Sequence, residues 1–314
     1  MKLNGKKVLV TGGAGFIGSH LCEALLEKKN KVVCVDDFST GQMANISELQ
    51  ENPDFKVVKK DVMDKGFKEE LKGIDAVYHY AAIVGVERTL SMPVEVLNID
   101  LLSVEKVLRE SFEAGVKKFV FASSSEVYGN PVEIPENEDG HVNAKLPYAV
   151  SKLAGEKFLR AYFEKYGMDT TSLRFFNVYG PKQDSTPYGF VAGIFIKQAL
   201  KNEPITIFGD GSNTRDYVFV KDNIKGAILS AETEKTAGEV LNIGSGKPTT
   251  LTDLAELIIE LTGSKSEIKY LPPRPDDIRH RFPDTSRMRK LLGFKPEVDL
   301  KEGLKKTIEY YKRK

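Results

Sequence analysis

The 314 residues predict an α/β fold, a doubly wound parallel sheet followed by a smaller mixed C-terminal lobe. Three observations carry that prediction. Short apolar runs alternate with amphipathic stretches over residues 1–180, the rhythm of crossover units and a parallel sheet. A glycine-rich turn, Thr11-Gly12-Gly13-Ala14-Gly15-Phe16-Ile17-Gly18, joins the first apolar run to the first amphipathic stretch. Past Gly180 the elements become shorter and mixed. Residues 1–180 are therefore expected to form the sheet domain and 181–314 mainly the second lobe, with some chain returning to the sheet.

Residues 7–10 are β-rich, and 19–28 read as a helix with Leu21, Ala24 and Leu25 on its apolar side. Residues 31–35 are almost wholly apolar, as a strand covered on both faces should be, and end in Asp36-Asp37. Residues 55–58 and 75–79 are the next strands, leading to Asp61 and to Ala81-Ala82. Pro93, suited to a first helical turn, opens a long helix over 93–114 that Gly115 stops. Strand 118–122 leads into Ser123-Ser124-Ser125-Glu126. Residues 130–147, rich in Pro, Asn, Asp and Glu, form a loop, followed by helix 148–166 and strand 170–175. In the second lobe 190–201, 222–232, 253–262, 284–292 and 300–311 read as helices, and 205–208 and 240–243 as strands. Residues 271–275 read as a proline-rich loop.

With 46 basic and 45 acidic side chains, nothing points to a nucleic-acid or membrane-surface partner. No apolar run is long enough to span a bilayer, and residues 1–7 run straight into a strand without a signal-peptide core. Cys22 and Cys34, the two cysteines, are expected as buried thiols in a reducing cytoplasm. No Cys/His spacing suggests a metal site.

The glycine turn fits G-x-G-x-x-G, follows a strand and opens a helix; Asp36 stands at the end of the next strand, eighteen residues beyond Gly18. A turn of this kind lets backbone approach a pyrophosphate at a helix N-terminus. Asp36 is expected to bind the adenosine ribose hydroxyls, favouring NAD over NADP because a phosphate there would be repelled. Asp37 is either a further cofactor contact or a solvated turn carboxylate. Tyr148 and Lys152, four residues apart, share one helix face. An ammonium about 4 Å from a phenol, at an effective dielectric of about 20, supplies up to roughly 4 kcal/mol towards ionising it. Tyr148 is thus the candidate base and Lys152 its acidifier.

These residues occur in a familiar order. Residues 11–18, Asp61-Val62, Ala81-Ala82, Ser124 before Val127-Tyr128-Gly129, Tyr148 with Lys152, and Arg174-Phe-Phe-Asn-Val-Tyr-Gly-Pro181 follow it, as do Gly209-Asp210-Gly211, residues 214–218, Asn242-Ile243-Gly244 and residues 274–278. The chain resembles the extended short-chain dehydrogenase/reductases, in particular the NAD-dependent nucleotide-sugar epimerase/dehydratase family, over essentially its whole length. The resemblance implies a Rossmann-type cofactor domain. Gly12, Gly15, Phe16, Ile17 and Gly18 would line the pyrophosphate, Asp61 and Val62 meet the adenine, and Ala81 and Ala82 meet the middle of the cofactor. Asn98 would take a cofactor-side structural role. Ser124 would hydrogen-bond the sugar O4, Tyr148 transfer the proton, and Lys152 bind the nicotinamide ribose. Asn177, Arg215 and Arg274 would lie near the diphosphate and Phe208 near the base.

The shared first step implied is oxidation of the sugar at C4, which leads to epimerisation, dehydration or decarboxylation. Dehydratases resembling this family usually carry an Asp-Glu pair directly after the Ser/Thr; here Ser125-Glu126 supplies half of it. Glu126 is accordingly either an acid/base or a carboxylate capping the following turn. Residues 37–41 and 214–218 look more like UDP-hexose 4-epimerases, although Asp276 stands where such epimerases often carry glycine and residues 83–89 have no close counterpart. A UDP-sugar 4-epimerase acting on UDP-glucose/UDP-galactose or the N-acetyl forms is the expectation, with a dehydratase or UDP-glucuronate decarboxylase as the alternative. A non-catalytic NAD-binding sensor is the reading from another class; the intact Ser124, Tyr148 and Lys152 argue against it. Apolar stripes on helices 93–114 and 148–166 exceed what the sheet can cover, which predicts a two-fold homodimer through them.

Overall fold

The computed structural model describes residues 1–85, 89, 91–183, 190–274 and 278–313. Asp276 and part of the 83–89 stretch lie outside the described residues. The first half holds β1 (Lys7–Thr11), α1 (Phe16–Glu27), β2 (Lys31–Asp36), β3 (Phe55–Lys59) and β4 (Ala76–His79). Next come α2 (Pro93–Val96), a π turn (Leu97–Leu101), α3 (Leu102–Glu113), β5 (Lys118–Ser124), α4 (Pro147–Tyr166) and β6 (Asp169–Phe175). The second half holds β7 (Asn177–Tyr179), α5 (Val191–Leu200), β8 (Ile205–Phe208), β9 (Thr214–Phe219), α6 (Val220–Glu232) and β10 (Glu239–Ile243). It closes with β11 (Pro248–Thr250), α7 (Leu251–Thr262), β12 (Ile268–Leu271), β13 (His280–Arg281), α8 (Ser286–Leu292) and α9 (Leu300–Lys312).

A seven-stranded sheet runs β10-β6-β5-β4-β1-β2-β3, every neighbouring pair parallel. Alternation along β1 divides the core between the two faces. Val8 and Val10 join Leu21, Leu25, Ile224 and Ile228 on one face, while Leu9 joins Phe119, Phe121, Val104, Leu108 and Leu159 on the other. Strand order reverses between β1 and β4, which opens a crevice at their carboxyl ends. The expected division near residue 180 is crossed where α6 and β10 return to this sheet. The remaining strands form a smaller sheet, β11-β9-β13 with β7 on β9, and the pair β12-β8.

Two expectations change. The single helix over 93–114 is interrupted by the π turn, a device that periodicity over a long window averages away. In the second lobe β7, β9, β11, β12 and β13 do not read as strands, because they are short and mix polar with apolar residues without an apolar run, as TRDYVF in β9 and IKYL in β12 do.

A buried ion pair fixes α4 on the sheet. Arg174 Nε and Nη2 donate to Glu156 at 2.9 and 2.7 Å, and Ser123 Oγ donates to the same carboxylate at 2.5 Å. Both partners are 3% exposed. Glu156→Ala leaves a buried guanidinium uncompensated and is expected to cost about 3–5 kcal/mol in chemical denaturation.

Candidate active site

The groove over β1 is built from backbone. The N-cap of α1 is Gly15, and the first bond of the helix runs from Ser19 N–H to the Gly15 carbonyl at 3.1 Å. The N–H groups of Phe16, Ile17 and Gly18 therefore have no carbonyl of the helix to answer them, and they crown its positive end. A Cβ at Gly18 would lie 2.1 Å from the Gly12 carbonyl oxygen. Gly12 itself has φ +68° and would place a Cβ 2.8 Å from Ala81 N. Side chains would fill this cradle; glycines leave it open to an anion.

At the end of β2, Asp36 is buried, with Oδ2 accepting from Ala14 N–H and Oδ1 from Phe38 N–H, both at 2.9 Å. Burial raises its pKa and the two N–H donors pull it back. Each oxygen keeps a lone pair for a hydroxyl, as ribose recognition requires. Asp37 is exposed and accepts from Ser39 N–H at 2.9 Å and Ser39 Oγ at 2.7 Å, the pattern of a turn residue. Asp61 accepts from Met63 N–H at 2.8 Å after β3, beside buried Val62. Ala81 N–H donates to Thr11 Oγ1 at 3.1 Å after β4, with Ala82 next to it. The strand ends thus place a pyrophosphate cradle, a ribose acceptor and an apolar adenine flank along one edge. This donor set suits NAD.

Tyr148 sits in the first turn of α4, which Pro147 opens. Lys152 Nζ lies 5.4 Å from the centre of the Tyr148 ring and 4.9 Å from that of Phe121. Lys152 is 3% exposed, and burial pulls its pKa down to about 8 against the support of Asp100. Burial pushes the Tyr148 phenol up, Asp100 and Glu126 push it further, and the Ser124 hydroxyl draws it back. The geometry of the pair matches the sequence reading, but its energetics do not. In the chain alone the lysine gives up its proton before the phenol would, so its ammonium is not by itself enough to acidify Tyr148.

Ser124 ends β5, and its Oγ accepts from Glu126 N–H at 3.2 Å. Ser125 is buried, so of the two residues after Ser124 only Glu126 faces outwards. Its carboxylate is not free, because it is ion-paired with Arg281 of β13. Arg281 is 3% exposed and also donates from Nη2 to the Gly129 carbonyl at 2.9 Å. Behind it Glu136 lies 3.8 Å from Arg281 Nε, with neither carboxylate oxygen hydrogen-bonded among the described residues. Burial raises Glu136 to about 8 against the pull of Arg281, and Glu126 makes the direct contact with the guanidinium. Sequence reasoning missed Arg281 and Glu136, which meet Glu126 only through the pairing of β13 with β9 and the bridge between Glu136 and Pro283.

Farther out, Arg274 stacks its guanidinium 4.1 Å from the centre of the Phe208 ring. Phe208 is half-buried, not core. Asn177 Nδ2 donates to the Asp216 carbonyl at 3.0 Å, and Arg215 Nη1 to the carbonyls of Thr214 and Ile278 at 2.9 and 2.6 Å. Asn177 and Arg215 stand on the adjoining strands β7 and β9. Asn98, expected on the cofactor side, is exposed; Asp100, four residues after buried Val96, is the residue of this turn that faces inwards.

Comparison with known proteins agrees with this geometry. The model of the NAD dependent epimerase/dehydratase family matches residues 8–244. The UDP-glucose 4-epimerase of Mycolicibacterium smegmatis is 37% identical over 312 residues, covering 98% of this chain and 99% of that protein. The UDP-glucuronic acid decarboxylase 1 of Danio rerio is 35% identical over 313 residues, 98% of this chain and 73% of that protein. Among solved structures, a UDP-N-acetylglucosamine 4-epimerase from Methanobrevibacter ruminantium, in complex with UDP-N-acetylmuramic acid, superposes with a TM-score of 0.94. It is 36% identical and 99% of each chain is covered.

Proposed function

The chain belongs to the NAD dependent epimerase/dehydratase family, and from that membership we propose that it is a UDP-sugar 4-epimerase. The observation that carries the reading is the set of groups at the end of β5. Ser124, Tyr148 and Lys152 stand together there, while Ser125 is buried and Glu126 is held by Arg281. Proton transfer at O4 is provided for; the acid and base pair that eliminates water across C5 and C6 is not.

Bound NAD supplies a hydride acceptor for C4 and a positive charge beside the phenol. The chain supplies the rest. The Phe16, Ile17 and Gly18 N–H groups hold the pyrophosphate, and Asp36 holds the ribose. Tyr148 Oη takes the 4-hydroxyl proton and returns it, with Ser124 Oγ aligning O4. Lys152 keeps positive charge next to the phenol and steadies the neighbouring ribose. Asn177, Arg215 and the Arg274–Phe208 stack are assigned to the nucleotide diphosphate and base, in a lobe formed mainly by 181–314. A 4-keto sugar free to turn in the site would present its other face to the hydride that reduced NAD would return.

Decarboxylation of UDP-glucuronate is favoured by one observation, the buried Arg281 guanidinium, a group that suits a carboxylate. Its engagement by Glu126 weighs against that use. The test is incubation with UDP-glucose, UDP-N-acetylglucosamine and UDP-glucuronate, followed by NMR. A 4-epimer is expected; a 4-keto-6-deoxy sugar, an unsaturated sugar or a pentose as the product overturns the reading.

The reading includes a homodimer and a cytoplasmic setting, the latter supported by two buried free thiols. Val94, Ile99, Leu102 and Phe112 on the α2-to-α3 segment, with Val150 and Tyr166 on α4, are 38–62% exposed. Monomers rarely leave such a stripe in water. Light scattering at micromolar concentration is expected to give the mass of two chains, and Leu102→Glu that of one. A monomer mass for the parent chain contradicts the dimer.

A further inference from the structure

The π turn packs against α4, the helix that carries Tyr148 and Lys152, and it holds a buried carboxylate. Asp100 is 2% exposed, and its Oδ1 accepts from Ile83 N–H at 2.8 Å. Its Oδ2 is buried with no hydrogen-bond partner among the described residues. A buried carboxylate oxygen without a donor is costly unless a nearby charge answers it. Lys152 on α4 is the cation whose charge acts on Asp100. Among the described residues, Tyr148 and His79 are the other titratable groups near this point. Tyr148 lies one turn before Lys152 and feels both Asp100 and Glu126. His79 at the end of β4 pairs its Nδ1 with Thr11 Oγ1 at 2.8 Å, and burial lowers it to about 3, so it is neutral.

We infer that Asp100 is a positioning residue, the counter-charge that keeps the Lys152 ammonium protonated beside Tyr148. The inference rests on the Tyr148 and Lys152 roles proposed above. Two effects compete. Asp100 repels a phenolate directly, and it retains the cation that attracts one. The Lys152 ammonium is adjacent to the ring, so its loss outweighs relief of the repulsion wherever Lys152 would otherwise be neutral. Below that pH only the repulsion remains. Removing the Asp100 charge is therefore expected to shift both limbs of the pH profile downwards, which mere loosening of the fold would not do.

Asp100→Asn removes the charge and keeps an oxygen for Ile83 N–H. Lysine Cε NMR on the NAD-loaded full-length chain reads Lys152 without turnover, its resonance being the one lost in Lys152→Met. The parent resonance is expected to titrate below the ordinary lysine range, because burial pulls it down. In Asp100→Asn the midpoint falls by roughly one pH unit, and the alkaline limb of kcat/KM falls with it. An unchanged midpoint overturns the inference. Should Asp100→Asn fail to fold, the parent still decides: its Lys152 resonance is expected to show a smaller inflection near pH 6 as Asp100 takes a proton. Absence of that inflection overturns the inference equally. Because this readout needs no substrate, it stands apart from any failure of the epimerase reading.

Discussion

Tyr148→Phe is expected to abolish turnover, by about three orders of magnitude or more, with the fold and the bound NAD retained. The substitution removes one oxygen and leaves the ring that packs beside Lys152 Nζ. A thousandfold loss corresponds to about 4 kcal/mol of transition-state stabilisation, the scale on which a positioned proton acceptor acts. The cradle at Gly12 to Gly18 and the Asp36 carboxylate are untouched, so NAD recovered from the denatured variant should equal that of the parent. Substantial residual activity would mean that another group accepts the 4-hydroxyl proton, and the role given to Tyr148 would be withdrawn.

Gly18→Ala is expected to strip the protein of cofactor. The added methyl would lie 2.1 Å from the Gly12 carbonyl oxygen and 2.9 Å from Gly13 Cα, so backbone rather than a mobile side chain must move. Overpacking of this kind costs about 1–3 kcal/mol or more. The displaced loop also carries the N–H groups assigned to the pyrophosphate. Purified Gly18→Ala should hold less than about a tenth of the parent's NAD, a loss of at least about 1.4 kcal/mol in binding. It should also unfold at a lower temperature. Parent-like NAD content would show that the close approach of α1 to β1 is not what shapes the site.

The sheet was legible because its inner strands carry apolar runs, residues 8–10 in β1 and 32–35 in β2, and helices separate them. Where a side chain's place followed from being at the end of such a strand, as for Asp36 or Ser124, one dimension of information was enough. The contacts that modify those side chains were not legible. Arg281 reaches Glu126 from 155 positions away, through a two-residue strand with no periodic signal. Asp100 falls on the inner face with Val96, Val104 and Leu108 while Asn98 falls outside, but a lone carboxylate on that face carries no motif that assigns it to the site. The phenol's energetics were misjudged for a related reason. Four-residue spacing states that the ammonium and the ring are close, but not that both are buried deeply enough for desolvation to act on each.

The central claim is that hydrogen leaves C4 of a nucleotide sugar and returns to the same carbon on the opposite face, within one closed site. Conversion of UDP-glucose deuterated at C4, in ordinary water, tests it most directly. The account predicts UDP-galactose that keeps its deuterium at C4, seen by NMR and mass spectrometry. Product carrying solvent hydrogen at C4, or deuterium retained in a sugar that has lost water or carbon dioxide, would contradict it.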